Sequence, residues 1–410
     1  MRIIYLILST VLYSFTINAQ DTTNVLFIGN SITYFNNMPQ TFEEIANSKG
    51  DFTNVTMYAP GGTGFLNHVN DQNVYNHFQQ GDWDYVVLQP GSNESPGYSE
   101  PINLTLTRAR KLQDSILLYS PCAKILYYEI SYGVWGNTAA NLVTYNNTMD
   151  LIRTNLEYLS DSTELFFAPA GETMRTAWNT NQSIMLWGGN GDIHPNAIGS
   201  YMIACTFYSS IFQKASFGTN IINSLTPTEA SYYQQLADST VLNHLSDWRI
   251  NTYNSFTEFN YTINQSNVTF NSISQNIDSL IWDFGDGNSS NLASTSHTYN
   301  QNNLYYVTLT TYKNGCIDTI TKVIDLMSLG LNTNSTLSKV NVYPNPFSDK
   351  IFIQNGNDTE ISIFNLLGQD YSNSVSITKT INGIEINTAS LPKGGYILKN
   401  KTFANIIYKQ

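Results

Sequence analysis

The chain has 410 residues, a length suited to two to four domains, and 41% of them are apolar, enough for several buried cores. Only 12% are charged and the net charge is −12, which speaks against nucleic acid and against docking on an anionic membrane, since both need basic patches. Asn, Ser, Thr and Tyr fill the gap left by charge, a balance common in extracellular proteins that meet glycans.

The opening residues MRIIYLILSTVLYSFTINAQ carry one Arg, an apolar run and Ile17-Asn18-Ala19 before Gln20. This is the pattern of a secretory signal peptide over 1–19, cut after Ala19. The run is too short and too interrupted for a membrane span, so an exported chain with no span is expected.

From 20 to about 250, strand-like and helix-like runs alternate. VLFIGN precedes a helical TFEEIANSKG, then come NVTMYA, a glycine turn and WDYVVLQ. A helix is predicted over 103–119, a strand at KILYYEI, a helix over 144–159, a strand at ELFFAPA and a closing helix over 195–212. Strands separated by helices imply a three-layer α/β fold around a mostly parallel sheet. The crevice of such a sheet lies beyond the carboxyl ends of its strands, where Gly29, Gly62, Gln89 and the PAGE turn at 169–172 fall.

After about 251 the helical period stops. Short alternating runs such as YYVTLTTY, set between Asn and Gly turns, predict an all-β sandwich over 251–328. Residues 329–338 read as a polar linker. The stretch 339–410 returns to short strands (KIFIQN, EISIFN, GIEINT, GYILK) and predicts a second all-β sandwich.

The three cysteines, Cys122, Cys205 and Cys316, lie far apart without metal-like spacing. Buried free thiols are the expectation, with a Cys122–Cys205 bridge as the alternative. His68 and His77 lack the clustering of a zinc site and are read as structural or solvated, so neither metal nor cofactor is expected.

Two stretches carry chemistry. A strand over 25–28 closed by Gly29 would project Ser31 from the sheet rim, either as a helix cap or as a nucleophile. GNGDIHPNAIG places Asp192 two residues before His194 in a glycine-rich loop. That spacing lets the carboxylate fold back onto one imidazole nitrogen and leaves the other free for a serine proton. There is no G-x-S-x-G, so a nucleophile elbow is not expected.

Together GNS, APGGTG, WDYVVLQ, PAGE and DIHPN over 24–215 resemble the SGNH (GDSL-like) hydrolase superfamily. The resemblance implies a flavodoxin-like three-layer fold, with Ser31 as nucleophile, His194 as base and Asp192 as its orienting acid. It also implies an oxyanion hole made by the N–H groups of Ser31 and Gly62 with the Gln89 amide, Gly64 and Asn93 being the reserves. Asn30 stands where the family usually has Asp, in a position that serves local hydrogen bonding.

The implied activity is that of a secreted serine esterase removing acetyl or other small acyl groups from a polysaccharide or a small ester. A lipid or aryl ester hydrolase, or an inactive glycan-binding or adhesion protein, is the alternative. Glu172, Trp178 and Trp187 are expected to line the substrate cleft, with Arg175 and Trp135 as further candidates.

WDFGDG at 282–287, followed by Ser296-His297-Thr298-Tyr299, resembles a PKD-type sandwich, with Asp283 and Asp286 as turn formers rather than calcium ligands. VYPNPFSDKIFI, ISIFNLLGQ and LPKGGYIL resemble the type IX secretion sorting domain of Bacteroidetes. That resemblance implies handling by the type IX machinery and a secreted or cell-surface location.

Overall fold

The computed structural model describes residues 22–327, 342–343, 347–354, 361–365, 370–380, 383–399 and 404–409. The expected signal peptide over 1–19 and the expected linker over 329–338 lie outside the described residues.

Five strands, β1 (Thr23–Ile28), β2 (Thr53–Tyr58), β3 (Tyr85–Leu88), β4 (Lys124–Tyr128) and β5 (Phe166–Ala168), form one sheet in the order β2-β1-β3-β4-β5. All of its pairings are parallel. The strands YVVL and FFA are buried along their whole length, as they must be when helices cover both faces of the sheet. Helices Met38–Ser48, Ile102–Tyr119, Ala139–Thr163, Ala170–Thr180 and Ala197–Phe212 provide that cover. Helix Ala197–Phe212 is buried from Gly199 to Ile211, because helix Pro227–Leu242 packs on its outer side. Phe27 of β1 meets Phe42 and Phe207 edge-on at 5.8 and 5.1 Å, one joint of the core between sheet and helices. No helix among the described residues is long and apolar enough to cross a membrane.

β1 ends at a forced glycine. A Cβ on Gly29 would stand 2.2 Å from Thr33 Oγ1 and 2.8 Å from Gln89 Oε1. Only a bare backbone passes there, and the next residues turn outward at the sheet rim.

The following strands are antiparallel. β6 (Phe259–Asn264), β7 (Asn267–Ser272) and β10 (Ser294–Thr298) make one sheet. β8 (Ser279–Asp283), β9 (Ser289–Ser290), β11 (Leu304–Lys313) and β12 (Cys316–Asp325) make the other. Trp282 is fully buried between Phe259 and Phe270, with its ring N–H on Leu292 O at 2.8 Å. The two aspartates of WDFGDG close turns. Asp283 accepts from Gly285 N at 2.9 Å and Asp286 from Asn288 N at 3.1 Å, and Asp286 also holds His297 at 2.7 Å.

In the second compact unit, strands Lys350–Gln354, Ser376–Thr380 and Gly383–Asn387 build one sheet with Val342–Tyr343. Ser362–Asn365, Gly394–Lys399 and Ala404–Lys409 build a second. Ile351, Ile353, Ile363, Ile384, Ile386, Leu398 and Ile407 form their common core.

The cysteine expectation is corrected. Cys122 pairs with Cys316, with the Cα atoms 5.5 Å apart across a separation of 194 residues, while Cys205 is free and buried. Cys205 sits inside helix Ala197–Phe212, where burial pushes its thiol up to about 12, so it has neither reach nor reactivity. Cys122 lies just before β4 and Cys316 opens β12, so the bridge ties the α/β domain to the first sandwich. Lys124 and Asp318 pair beside it at 3.0 Å. Cys316→Ser is expected to lower the melting temperature, by a stability loss of about 2–5 kcal/mol for so long a closed loop. Differential scanning calorimetry of the oxidised and variant chains checks this, and unchanged melting would remove the bridge from the account.

Candidate active site

Asn30 caps the short helix Ser31–Tyr34. Its Oδ1 accepts from Ile32 N at 3.0 Å and its Nδ2 donates to Thr63 O at 2.7 Å, so it ties the serine turn to the glycine loop. Ser31 is the first helical residue, half-buried at the rim of the sheet, and its backbone N–H is one of the donors that a helix start leaves unpaired.

His194 comes from a loop between Trp187 and helix Ala197–Phe212, and glycines make that loop's contacts possible. A Cβ on Gly188 would meet Asp192 Oδ2 at 2.2 Å, and one on Gly133 would meet Asp192 O at 2.5 Å. Gly191, at φ +77°, donates to Val134 O at 2.6 Å. The loop's far end is pinned by Asn196, which caps the helix through Ile198 N and Gly199 N. Asn36 reaches Pro195 O at 2.8 Å from the serine side.

These supports bring Ser31 to the neighbouring pair Asp192 and His194 across 163 residues. His194 Nε2 lies 2.9 Å from Ser31 Oγ, and Nδ1 lies 2.6 Å from Asp192 Oδ1. Asp192 Oδ1 also accepts the His194 backbone N–H at 2.9 Å. That backbone bond, with the ring bond after it, holds the Asp192 carboxyl below the usual carboxylate range. An ionised Asp192 fixes the proton on Nδ1, so Nε2 presents its lone pair to the serine hydroxyl. Phe35 stacks on the imidazole at 4.3 Å and limits its rotation. Nothing in the sequence marks Phe35 for this place, since an aromatic five residues after a cap reads as ordinary packing.

The cleft in front of Ser31 has a volume of about 430 Å³ and takes in Gly62, Thr63, Gly64, Asn93 and His194. Leu66 and Ile193 line it beside Asn, Ser, Thr and Gly residues, and its exposed lining is more apolar than polar. Both expected glycines are here. Gly62, at φ +72°, has no protein acceptor for its N–H among the described residues, whereas Gly64 N is spent on Asn67 Oδ1 at 3.1 Å.

The expected oxyanion role of Gln89 is corrected. Its side chain is fully buried beneath the serine turn and does not line the cleft. Oε1 accepts from Asn30 N at 3.1 Å and Thr33 Oγ1 at 2.6 Å, and Nε2 donates to Asn30 Oδ1 at 3.0 Å and Pro90 O at 3.2 Å. Both ends of the amide are committed, and Gln89 serves as the anchor of the turn. The reserve, Asn93, is exposed in the cleft wall. Tyr132 OH donates to its Oδ1 at 3.3 Å, which turns Nδ2 away from that partner.

The expected substrate contacts are corrected as well. Trp178 and Trp187 are 2% and 1% exposed and pack edge-to-face at 5.5 Å, inside the core. Glu172 and Arg175 line a different cavity with Arg153 and Trp248, and Glu172 Oε2 pairs with Arg175 at 3.5 Å. Trp135 is the exposed one, its ring covering Gly191 of the histidine loop. His68 is buried and His77 stands beside Tyr58; among the described residues no group of three or more His, Cys, Asp or Glu is gathered as a metal site.

Residues 257–326 match the PKD domain model and residues 341–410 match that of the secretion system C-terminal sorting domain. These two segments belong to those families, and the second marks the chain for export by the type IX secretion system. No curated protein matches the chain in sequence. Among solved structures, a DUF4886 family protein from Bacteroides uniformis is similar at 17% identity and a TM-score of 0.45, over 54% of this chain and 95% of its own. A protein from Slackia heliotrinireducens described as an SGNH hydrolase is similar at 18% and 0.39, over 47% and 100%. A catalytic mutant of an acetylxylan esterase from Geobacillus stearothermophilus is similar at 14% and 0.37, over 50% and 97%.

Proposed function

We propose that the chain is an exported serine esterase of the SGNH type that removes acetyl or other small acyl groups from a polysaccharide. In this reading residues 20–250 are the catalytic domain, 251–328 the PKD-like module and 339–410 the sorting domain. The observation that carries the reading is the line Ser31 Oγ, His194 Nε2, His194 Nδ1, Asp192 Oδ1, with contacts of 2.9 and 2.6 Å.

Ser31 Oγ attacks the ester carbonyl carbon while His194 Nε2 takes its proton, and Asp192 stabilises the imidazolium that results. The carbonyl oxygen becomes an oxyanion, held by the N–H groups of Ser31 and Gly62 with Asn93 Nδ2 in place of Gln89. Collapse breaks the bond to the alcohol, which leaves with the proton from His194 as the acyl group stays on Ser31. A water then attacks the acyl carbon and gives its proton to His194, and the bond to Ser31 Oγ breaks as His194 returns the proton to the serine and the acid leaves.

The modest volume of the cleft supports a short acyl group over a long lipid chain, whose recognition needs an extended apolar channel. The close Ser31–His194 contact supports an enzyme over an inactive adhesion protein. Release of acetate from acetylated xylan and related polysaccharides is the test. Acetate should appear with the wild-type chain, and its absence from every acetylated glycan and small acetyl ester tried would sink the reading.

A further inference from the structure

The two oxyanion donors beside Ser31 sit on separate loops, and one buried side chain joins those loops. Gly62 belongs to the turn that enters helix Phe65–His68, and Asn93 to the turn after β3. The Glu94 carboxylate lies between them, its side chain 7% exposed. Oε2 accepts from the N–H of Phe65 and from that of Gly91, both at 2.8 Å, and Oε1 accepts from Leu66 N at 2.8 Å.

The backbones also touch. A Cβ on Gly64 would stand 2.4 Å from Glu94 Oε2 and 2.7 Å from Gly91 Cα. A Cβ on Gly91 would reach Glu94 Oε2 at 3.1 Å and Gly64 Cα at 3.3 Å. The two loops therefore meet glycine to glycine, with the carboxylate as a polar bridge between them.

A negative charge this near a developing oxyanion would by itself oppose the reaction. Here three backbone N–H groups converge on it and Arg108 Nη1 stands 3.8 Å from Oε1, so the charge is met where it lies. Three donors arriving at two oxygens also need a carboxylate. An amide would have to turn its N–H₂ end toward one or more backbone N–H groups.

We propose that Glu94 is a positioning residue of the esterase site, which sets the spacing of Gly62 N–H and Asn93 Nδ2 by holding both loops at once. The inference rests on the esterase reading. A donor displaced by a fraction of an ångström still meets the ground-state carbonyl but loses the oxyanion, so the effect falls on kcat.

The test compares the full chain with its Glu94→Gln variant, which keeps shape and removes one acceptor, and with Glu94→Asp, which keeps the charge one methylene short. On an acetyl ester, kcat per titrated site should fall about 10- to 100-fold for Glu94→Gln, with KM changed less than about twofold. Inhibition by a boronic acid that mimics the tetrahedral adduct should weaken by the same factor as kcat/KM. Amide hydrogen exchange over 61–67 and over 90–94 should quicken in both segments together, and should not in distant helices. Glu94→Asp should show the same changes and carries the comparison if Glu94→Gln fails to fold. A kcat within about twofold of wild type, or exchange unchanged in either segment, overturns the proposal. If the wild-type chain hydrolyses no ester, the esterase reading falls instead, and the exchange data still decide whether Glu94 joins the loops.

Discussion

Ser31→Ala loses about 10⁴- to 10⁶-fold in kcat on a small acetyl ester, equivalent to roughly 5–8 kcal/mol of barrier, while its melting temperature stays near wild type. The hydroxyl is half-buried and its hydrogen bond to His194 is a contact across the cleft rim, so little packing is lost with it. His194→Ala costs nearly as much, because Nε2 is the group placed to take the serine proton. The double variant falls little further than either single one, since the two residues act in one step and neither works alone. Steady-state rates on enzyme normalised by folded fraction check this. A Ser31→Ala rate near wild type would displace the whole site.

Asn93→Ala and Gln89→Ala separate in opposite directions. Asn93→Ala lowers kcat about 10²- to 10³-fold, roughly 3–4 kcal/mol, with KM and melting nearly unchanged, because it removes a donor that meets charge only in the transition state. Gln89→Ala strands the buried Asn30 N–H and Thr33 hydroxyl that it now satisfies, at a cost of about 1–3 kcal/mol for each group left unpaired. Its melting temperature therefore drops, while kcat per titrated site stays within a small factor of wild type. Titrating the active sites before measuring kcat distinguishes the two behaviours. The reverse pattern would return the oxyanion role to Gln89.

The parts of this site that were legible in the sequence are those set by local geometry. Asp192 and His194 are two residues apart in a glycine-rich loop, and Ser31 follows a strand that ends in glycine; each arrangement is written in a few neighbouring positions. The parallel sheet then brings the two ends of the domain to one rim, which is how a contact across 163 residues follows from an alternation of strands and helices. Gln89 departs from the expected role for a specific reason. It follows the end of β3 as the strand pattern implies, but its side chain points under the serine turn, into space that the missing Cβ of Gly29 leaves open. Strand periodicity does not report which side of the rim a terminal residue takes.

Other features carry no local signal at all. The Cys122–Cys316 bridge joins residues 194 apart in two different domains, and only the packing of the first sandwich on the α/β domain selects it over the alternatives. Glu94 looks like a turn residue until Phe65, Leu66 and Gly91 are seen to donate to it. Trp178 and Trp187 follow the ordinary preference of tryptophan for the core, Trp178 from within helix Ala170–Thr180.

The most direct measurement is covalent labelling of the full chain with a fluorophosphonate, followed by peptide mass spectrometry. The reagent adds its phosphonyl group to a serine oxygen only where a base takes the proton and donors hold the resulting oxyanion, so it reports the assembled site without any assumption about the glycan. A single adduct on Ser31 is expected, forming at a fraction of the wild-type rate in His194→Ala. An adduct on another serine, or no adduct in a folded chain, would contradict it.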